Sequence, residues 1–193
     1  LTDSGGFQVY SLARLRRVTD EGVSFQSHVD GANLFLTPEK VVEIQETLGV
    51  DIMMVLDECL GFPATRQQAE ESLRLTLNWA KRAIKARQRP ETLMFGIVQG
   101  GMFEDLRVRA AGELSELPFD GYAIGGLSVG ESTDLMEHFT GTTAQVMPSD
   151  KIRYLMGVGT PSDIVRSVRL GVDLFDCVIP TRSARFGRLY VEE

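Results

Sequence analysis

Short apolar segments recur along this chain and alternate with segments of helical periodicity. The apolar segments are residues 51–56, 93–98, 121–124, 152–156 and 173–178, with residues 1–2 as a sixth that is cut short. They are mostly apolar throughout rather than alternating, which is typical of strands in a parallel sheet that is covered on both faces. The recurrence therefore predicts an α/β protein built around a parallel sheet.

Helical patterns fill most of the intervals. Thr37 and Pro38 have the form of an N-cap followed by a first-turn proline, and Gly49 has the form of a C-cap. Residues 64–87, 103–117 and 161–170 carry apolar side chains at helical spacing. Residues 22–35 depart from the repeat, because Asp30 and Gly31 lie in the middle of a pattern that predicts an inserted β-hairpin.

The order of the elements favours one barrel architecture. No GxGxxG follows a predicted strand, which counts against a dinucleotide-binding fold. A (βα)8 TIM barrel fits better, but such barrels usually need about 250 residues. The 193 residues therefore predict a single partial barrel of about six βα units over residues 1–193. We expect the chain to be an internal piece of a longer protein. The first strands of the barrel are expected to lie outside this piece.

Composition excludes several classes of protein. No apolar run has the length of a membrane span, and no N-terminal segment resembles a signal peptide. Cys59 and Cys177 are the only cysteines, and without CxxC or CxC they predict neither a disulfide framework nor a metal site. A reducing cytoplasm is the expected setting. The net charge of −7 does not favour nucleic acid overall, although a few local arginines can still bind phosphates.

Polar and glycine-rich loops follow the predicted strands, where (βα)8 barrels carry their chemistry. Asp3, Asp57 and Asp176 each lie at or just past a strand, as does Gln99, while glycine pairs follow three of the strands. Carboxylates accept hydrogen bonds and amides both donate and accept, so this set suits a flat ligand rich in N–H groups, such as a guanine-like base. Two carboxylates facing one centre also suit a displacement at a sugar carbon.

Six segments carry a resemblance to a known family: TDSGGFQV, DIMMVLDEC, FGIVQGG, GYAIGGLSVGE, YLMGVGTPSDIV and LFDCVIPTRSAR. In this order they closely resemble the tRNA-guanine transglycosylases, also called queuine tRNA-ribosyltransferases. That resemblance implies a (βα)8 barrel that exchanges the wobble guanine of GUN-anticodon tRNAs for a 7-deazaguanine, a pentosyl transfer in queuosine biosynthesis.

The resemblance implies a role for each matching residue. Asp176 is expected to be the nucleophile that attacks the ribose C1′ and forms a covalent ester with the RNA. Asp3 is expected to carry the proton of the departing and entering base, with a pKa raised by neighbouring carboxylates. The residues expected to bind the base are Asp3, Ser4, Gly5, Gly6, Phe7, Asp57, Gln99, Gly126, Leu127 and Met156.

The resemblance also implies partners. The segments expected to contact the tRNA anticodon loop comprise Gly157, Val158, Gly159, Thr160, Pro161, Ser162 and Asp163, together with Thr181, Arg182, Ser183, Ala184 and Arg185. Val129 and Cys59 match the bacterial members, which insert 7-aminomethyl-7-deazaguanine (preQ1). No cofactor is expected within these residues. A structural zinc ion is expected in the full-length protein, from ligands beyond residue 193, and the full-length protein is expected to be a homodimer.

Three alternatives stay open at this point. The chain could be a non-catalytic RNA-binding paralogue, although it has both Asp3 and Asp176. It could be an unrelated TIM-barrel enzyme that acts on a small phosphorylated metabolite, since arginines near a barrel mouth can hold a phosphate. It could also belong to the archaeal branch, which modifies a guanine in the tRNA D-arm; Val129 weighs against that branch.

Overall fold

A computed structural model describes residues 1–7, 11, 16–27 and 29–191, in which two sheets are present. A small antiparallel sheet comes first and consists of β1 (Arg17–Val18), β2 (Val23–Gln26) and β3 (Asn33–Leu36). The strands β2 and β3 form the hairpin predicted from the sequence. In the sequence, this hairpin lies between the first predicted strand, at residues 1–2, and the helix that begins at Pro38.

The second sheet has five parallel strands in sequence order. Its strands are β4 (Ile52–Met54), β5 (Leu93–Val98), β6 (Gly121–Ile124), β7 (Ile152–Leu155) and β8 (Leu174–Phe175). Thr2 adds a sixth strand position, because it forms a parallel bridge with Met53 and its N–H donates to Ile52 O over 3.0 Å. The predicted α/β fold with a partial (βα)8 barrel is confirmed.

Six helices lie wholly within the described part of the chain. They are α1 (Pro38–Leu48), α2 (Arg66–Ala86), α3 (Glu104–Ser115), α4 (Thr133–Val146), α5 (Pro161–Arg169) and α6 (Ile179–Arg185). Side chains cap several of them as the sequence predicts. Thr37 accepts from Lys40 N, Thr65 and Gln68 form a capping box, and Gly49 ends α1 with a φ of 67°.

The helices α4 and α6 were not predicted from the sequence, and two strands are shorter than predicted. The interior of α4 contains Gly141 and two consecutive threonines, which weaken the helical pattern, although Ser132 caps it through Leu135 N. The segments predicted at 51–56 and 173–178 are strands only over Ile52–Met54 and Leu174–Phe175. The early end of β8 places Asp176 directly after the strand.

The core lies between the parallel sheet and its helices. Its fully buried members include Met53, Phe95, Ile97, Ala123 and Leu155, one or two from each of the first four strands of that sheet. A second, smaller cluster holds the antiparallel sheet against α1 and α2 and includes Val23, Val41 and Trp79. No helix among the described residues has the length and apolar character needed to cross a membrane.

Candidate active site

The carboxyl ends of the parallel strands meet at one edge of the sheet, and the predicted site residues follow them. Asp57 lies three residues after β4, Gln99 directly after β5, Gly126 and Leu127 after β6, and Asp176 directly after β8. Asp3 follows Thr2, which pairs beside β4. The fold therefore brings these side chains and loops to the same end of the sheet, where (βα)8 barrels hold their active sites.

Asp57 and Gln99 form a buried pair. Gln99 Nε2 donates to Asp57 Oδ2 over 2.7 Å, and Ser4 Oγ donates to Asp57 Oδ1 over 3.4 Å. The pKa of Asp57 is raised to about 7, mainly by burial and also by the charges of Asp3 and Glu58, while the hydrogen bonds from Gln99 and Ser4 act in the opposite direction. The protein thus holds an acceptor carboxylate whose charge is easily changed near neutral pH.

Gly6 lies in close contact with another segment of the protein, at Asp57. A Cβ at Gly6 would lie 2.6 Å from Asp57 Oδ1 and 2.8 Å from Asp57 O, so Gly6 makes room for the Asp57 carboxylate. Gly6 N also donates to Ser4 Oγ over 3.1 Å. Gly5 has a φ of 86° and open space beside its Cα, so of the two glycines it is Gly5 that leaves a surface exposed. The base contacts predicted for these residues stay predictions.

Asp176 is exposed, and one of its two oxygens is held firmly. Tyr154 OH and Gly157 N each donate to Asp176 Oδ1 over 2.6 Å. Burial raises the pKa of Tyr154, and so do its hydrogen bond to Asp176 and the charge of Asp3. Within the described residues Oδ2 of Asp176 receives no hydrogen bond. The carboxylate is therefore fixed in orientation with one oxygen available to a ligand.

Asp3 acts electrostatically on both of these centres. It is half-buried, its Oδ1 accepts from Ser4 N over 2.7 Å, and its charge acts on both Asp57 and Tyr154. The raised pKa expected for Asp3 stays a prediction, and the structure instead identifies Asp57 as a carboxyl group with a raised pKa. Two carboxylates, Asp3 and Asp176, thus lie within electrostatic reach of one hydroxyl at the mouth of the sheet.

Known proteins share the sequence that builds this site. The sequence profile of the queuine tRNA-ribosyltransferase family matches residues 1–193. This chain belongs to the queuine tRNA-ribosyltransferase family. The resemblance inferred from the six motifs is confirmed.

Curated relatives named queuine tRNA-ribosyltransferase agree with that membership. The protein of Solidesulfovibrio magneticus is 56% identical over 98% of this chain and 52% of its own length. Those of Natranaerobius thermophilus (55% identical, 97% of this chain, 51% of the relative) and Thiobacillus denitrificans (56%, 98% and 52%) are similar. The chain spans about half the length of the curated relatives it matches.

The two segments that the family resemblance assigns to RNA lie before and after Asp176 in the chain. Residues 157–163 run from the end of β7 into α5, where Thr160 caps the helix by accepting from Asp163 N over 3.3 Å. Residues 181–185 lie within the short helix α6, with Arg182 and Arg185 exposed. A Cβ at Gly159 would lie 2.5 Å from Cys177 Cβ, so the first segment lies against the residue that follows Asp176.

The remaining predicted site residues surround these groups. Met156 is half-buried against the core, Phe7 is 46% exposed, and Leu127 is buried. Burial, together with the charges of Asp57 and Glu58, raises the pKa of the Cys59 thiol to about 12, so the thiol is neutral and unreactive. No three His, Cys, Asp or Glu side chains of the described residues are grouped to hold a metal ion.

Three residues that support the site were not predicted from the sequence. Tyr154 donates to Asp176, Glu131 accepts from Ser128 N and Val129 N, and Arg107 binds backbone carbonyls of two loops. Tyr154 and Arg107 lie within a strand and a helix, and no sequence signal indicates that their side chains reach the strand ends. Glu131 could have been found, because an acid three residues after Ser128 in a glycine-rich loop is a common acceptor for loop amides.

Proposed function

We propose that the protein of which these residues form a part is a tRNA-guanine transglycosylase. It exchanges the wobble guanine of GUN-anticodon tRNAs for preQ1 through a covalent link between Asp176 and the ribose, in queuosine biosynthesis. The single observation that carries the proposal is the state of Asp176: one oxygen is held by Tyr154 and Gly157 while the other is free, at the same sheet edge as Asp3, Asp57 and Gln99. Family membership supports the same activity.

The first half of the reaction forms the covalent intermediate. Asp176 Oδ2 attacks the ribose C1′, the bond from C1′ to the base nitrogen breaks, and guanine leaves with that electron pair. Asp3 donates a proton to the departing base. Tyr154 OH and Gly157 N fix Oδ1, so the attacking oxygen keeps one direction and the carboxylate loses little freedom when it reacts.

The second half reverses these steps with another base. Asp3 removes a proton from the entering 7-deazaguanine, whose ring nitrogen then attacks C1′. The ester bond breaks and the Asp176 carboxylate is restored. Its Oδ1 still accepts hydrogen bonds from Tyr154 OH and Gly157 N. Protons and electron pairs balance over the two halves, so the exchange consumes no oxidant or reductant.

Base recognition is proposed to rest on the Asp57–Gln99 pair. The Asp57 carboxylate accepts from N–H groups of the purine, and the Gln99 amide completes the edge of the base. Gly126 and Leu127 offer backbone groups from the neighbouring loop, and Phe7 and Met156 flank the base. A stacked anticodon nucleotide cannot reach these groups, so the nucleotide must turn out of the anticodon loop into the site.

The preference for preQ1 is proposed to depend on Val129. A cleft beside Gln99 and Gly126 is lined by Val129 together with Leu60, Phe62 and Met102. The Val129 side chain narrows this cleft and leaves less room for a bulky substituent on the 7-deazaguanine ring. A structural zinc ion bound beyond residue 193 and a homodimeric state are part of the same proposal, and no step of the exchange depends on either.

Exchange of labelled guanine into tRNA tests the proposed function. The full-length protein is incubated with GUN-anticodon tRNA and radiolabelled guanine, and RNA-bound label is counted. We expect incorporation by the wild type, none by Asp176→Asn and a large loss in Asp3→Asn. Asp173→Asn, which changes an exposed aspartate three residues before Asp176, is the matched control. No incorporation by the wild type would exclude the transglycosylase and favour a non-catalytic paralogue or a metabolite enzyme.

A further inference from the structure

Arg107 is a fully buried cation beneath the loops that carry the base-recognition groups. Its side chain extends from α3 and is 0% exposed. Among the described residues no carboxylate forms a salt bridge with it, and burial lowers its pKa to about 10, although the charge of Glu131 acts in the opposite direction. A buried guanidinium without a carboxylate partner is costly, so its hydrogen bonds to the backbone must compensate.

The guanidinium bonds to carbonyls on two loops at once. Arg107 Nε donates to Gly101 O over 2.7 Å, in the loop after β5. Nη1 and Nη2 each donate to Gly125 O over 3.1 Å, and Nη2 donates to Gly126 O over 3.3 Å, in the loop after β6. A rigid planar fork that reaches three carbonyls fixes both loops relative to each other.

These contacts decide which polar groups the loop after β6 can offer. The Gly125 and Gly126 carbonyls are occupied by Arg107, and Gly125 N donates to Val98 O over 3.1 Å. No described residue accepts from Gly126 N. A Cβ at Gly126 would collide with Gln99 Oε1, so this backbone lies directly against Gln99. Gly126 therefore presents a donor, and not an acceptor, beside the Asp57–Gln99 pair.

We propose that Arg107 is a positioning residue for base specificity. By holding the Gly125 and Gly126 carbonyls away from the pocket, it makes the loop after β6 a hydrogen-bond donor that matches the C6 oxygen of guanine, while Asp57 reads the N–H edge. This inference rests on the proposed function. Loss of the fork would free the loop and weaken recognition at C6 without altering recognition of the 2-amino group.

Competition between free bases tests whether the loop after β6 recognises C6 while Asp57 recognises the N–H edge. Guanine, 6-thioguanine and hypoxanthine compete with labelled guanine for the full-length enzyme. The sulfur of 6-thioguanine is a weak acceptor at C6, and hypoxanthine lacks the 2-amino group. Arg107→Lys keeps the charge but loses the fork, Arg107→Met loses both, and Arg109→Met changes an exposed arginine on the same helix that pairs with Glu113.

We expect the wild-type preference for guanine over 6-thioguanine to fall about 5-fold or more in Arg107→Lys, as one hydrogen bond is lost. The preference over hypoxanthine should stay within about twofold, and Arg109→Met should resemble the wild type. An unchanged 6-thioguanine ratio in Arg107→Lys, an equal fall in both ratios, or failure of both Arg107 variants to fold would each overturn the proposal. A wild type without exchange activity would instead refute the proposed function.

Discussion

At the scale of single residues, Tyr154 links the strand β7 to the chemistry of Asp176. Its hydroxyl is 2.6 Å from Asp176 Oδ1, and a hydrogen bond to a charged group contributes about 1.5–3 kcal/mol. We predict that Tyr154→Phe slows single-turnover exchange roughly 10- to 100-fold and leaves guanine affinity unchanged. Rapid-quench kinetics and equilibrium base binding measure the two quantities separately.

A second tyrosine provides the control for this prediction. Tyr122 lies on the neighbouring strand β6, and its hydroxyl donates to Leu117 O over 3.4 Å, away from the strand ends that carry the site. Tyr122→Phe should exchange guanine at the wild-type rate. Equal rates for Tyr154→Phe and the wild type would show that the Gly157 amide alone is enough to orient Asp176.

Asp57 makes guanine binding dependent on pH. Its pKa is raised to about 7, first by burial and then by the charge of Asp3, and only the ionised form accepts two N–H groups from a base. We predict that guanine affinity increases as the pH rises from about 5 to 8 and levels off above that range. Asp57→Asn should bind guanine weakly at every pH in this range. Isothermal titration at a series of pH values checks both statements.

The same carboxyl group affects stability with the opposite trend. Because the folded-state pKa of Asp57 is raised above its ordinary 3.8, the unfolded chain loses this proton at lower pH than the folded protein does. The free energy of unfolding should therefore fall as the pH rises from about 4 to 7. Asp57→Asn should flatten that decline in urea unfolding. An equally steep decline in Asp57→Asn would mean that other groups, such as Glu58, cause it.

At the scale of elements, two glycines should respond to alanine in opposite ways. Gly6→Ala places a Cβ 2.8 Å from the Asp57 carbonyl, which cannot move easily, so we predict a loss of about 1–3 kcal/mol of stability and weaker guanine binding. Gly112 lies inside α3, and a Cβ added there would have no atom within 4 Å, so Gly112→Ala should gain roughly 0.5–1 kcal/mol. Thermal unfolding of both variants distinguishes them, and stabilisation by Gly6→Ala would contradict the contact.

Elements with strong local signals could be predicted from the sequence. Thr37, Pro38 and Gly49 mark both ends of α1, and the apolar segments indicate the order of the parallel strands because each is buried on both faces. The helix α4 was missed because its apolar stripe is interrupted by Gly141 and threonines. The short helix α6 has no buried residue, so it has no apolar stripe to detect.

The residues of the candidate site likewise differ in whether the sequence alone could predict them. Strand-end residues such as Asp57, Gln99 and Asp176 could be predicted, because topology alone brings them to one edge. The supporting contacts could not, because they depend on side-chain direction over long sequence separations. Tyr154 lies 22 residues before Asp176, and Arg107 reaches Gly125 across 18 residues. The role of Gly6, which makes room for Asp57, likewise depends on how two distant segments lie against each other.

At the scale of the whole molecule, a net charge of −7 requires that RNA binding be local. Arg182 and Arg185 are exposed on α6, the helix that follows Asp176 in the chain. We predict that Arg182→Ala with Arg185→Ala weakens tRNA binding for all GUN-anticodon tRNAs alike and lowers the slope of log affinity against log salt by about 1–2. Filter binding at several salt concentrations measures the slope. Arg109→Ala, on α3, is the control, and a slope unchanged by the double substitution would exclude α6 from the phosphate contacts.

The covalent step is tested most directly by isolating the RNA–protein adduct. The full-length protein is mixed with GUN-anticodon tRNA, denatured before release, digested, and analysed by mass spectrometry for a peptide that carries ribose. We predict an adduct on Asp176 that is absent in Asp176→Asn and forms more slowly in Asp3→Asn, because Asp3 protonates the departing guanine in the step that forms the adduct. An adduct on a different residue, or exchange of labelled guanine at the wild-type rate by Asp176→Asn, would contradict the assignment of Asp176 as the nucleophile.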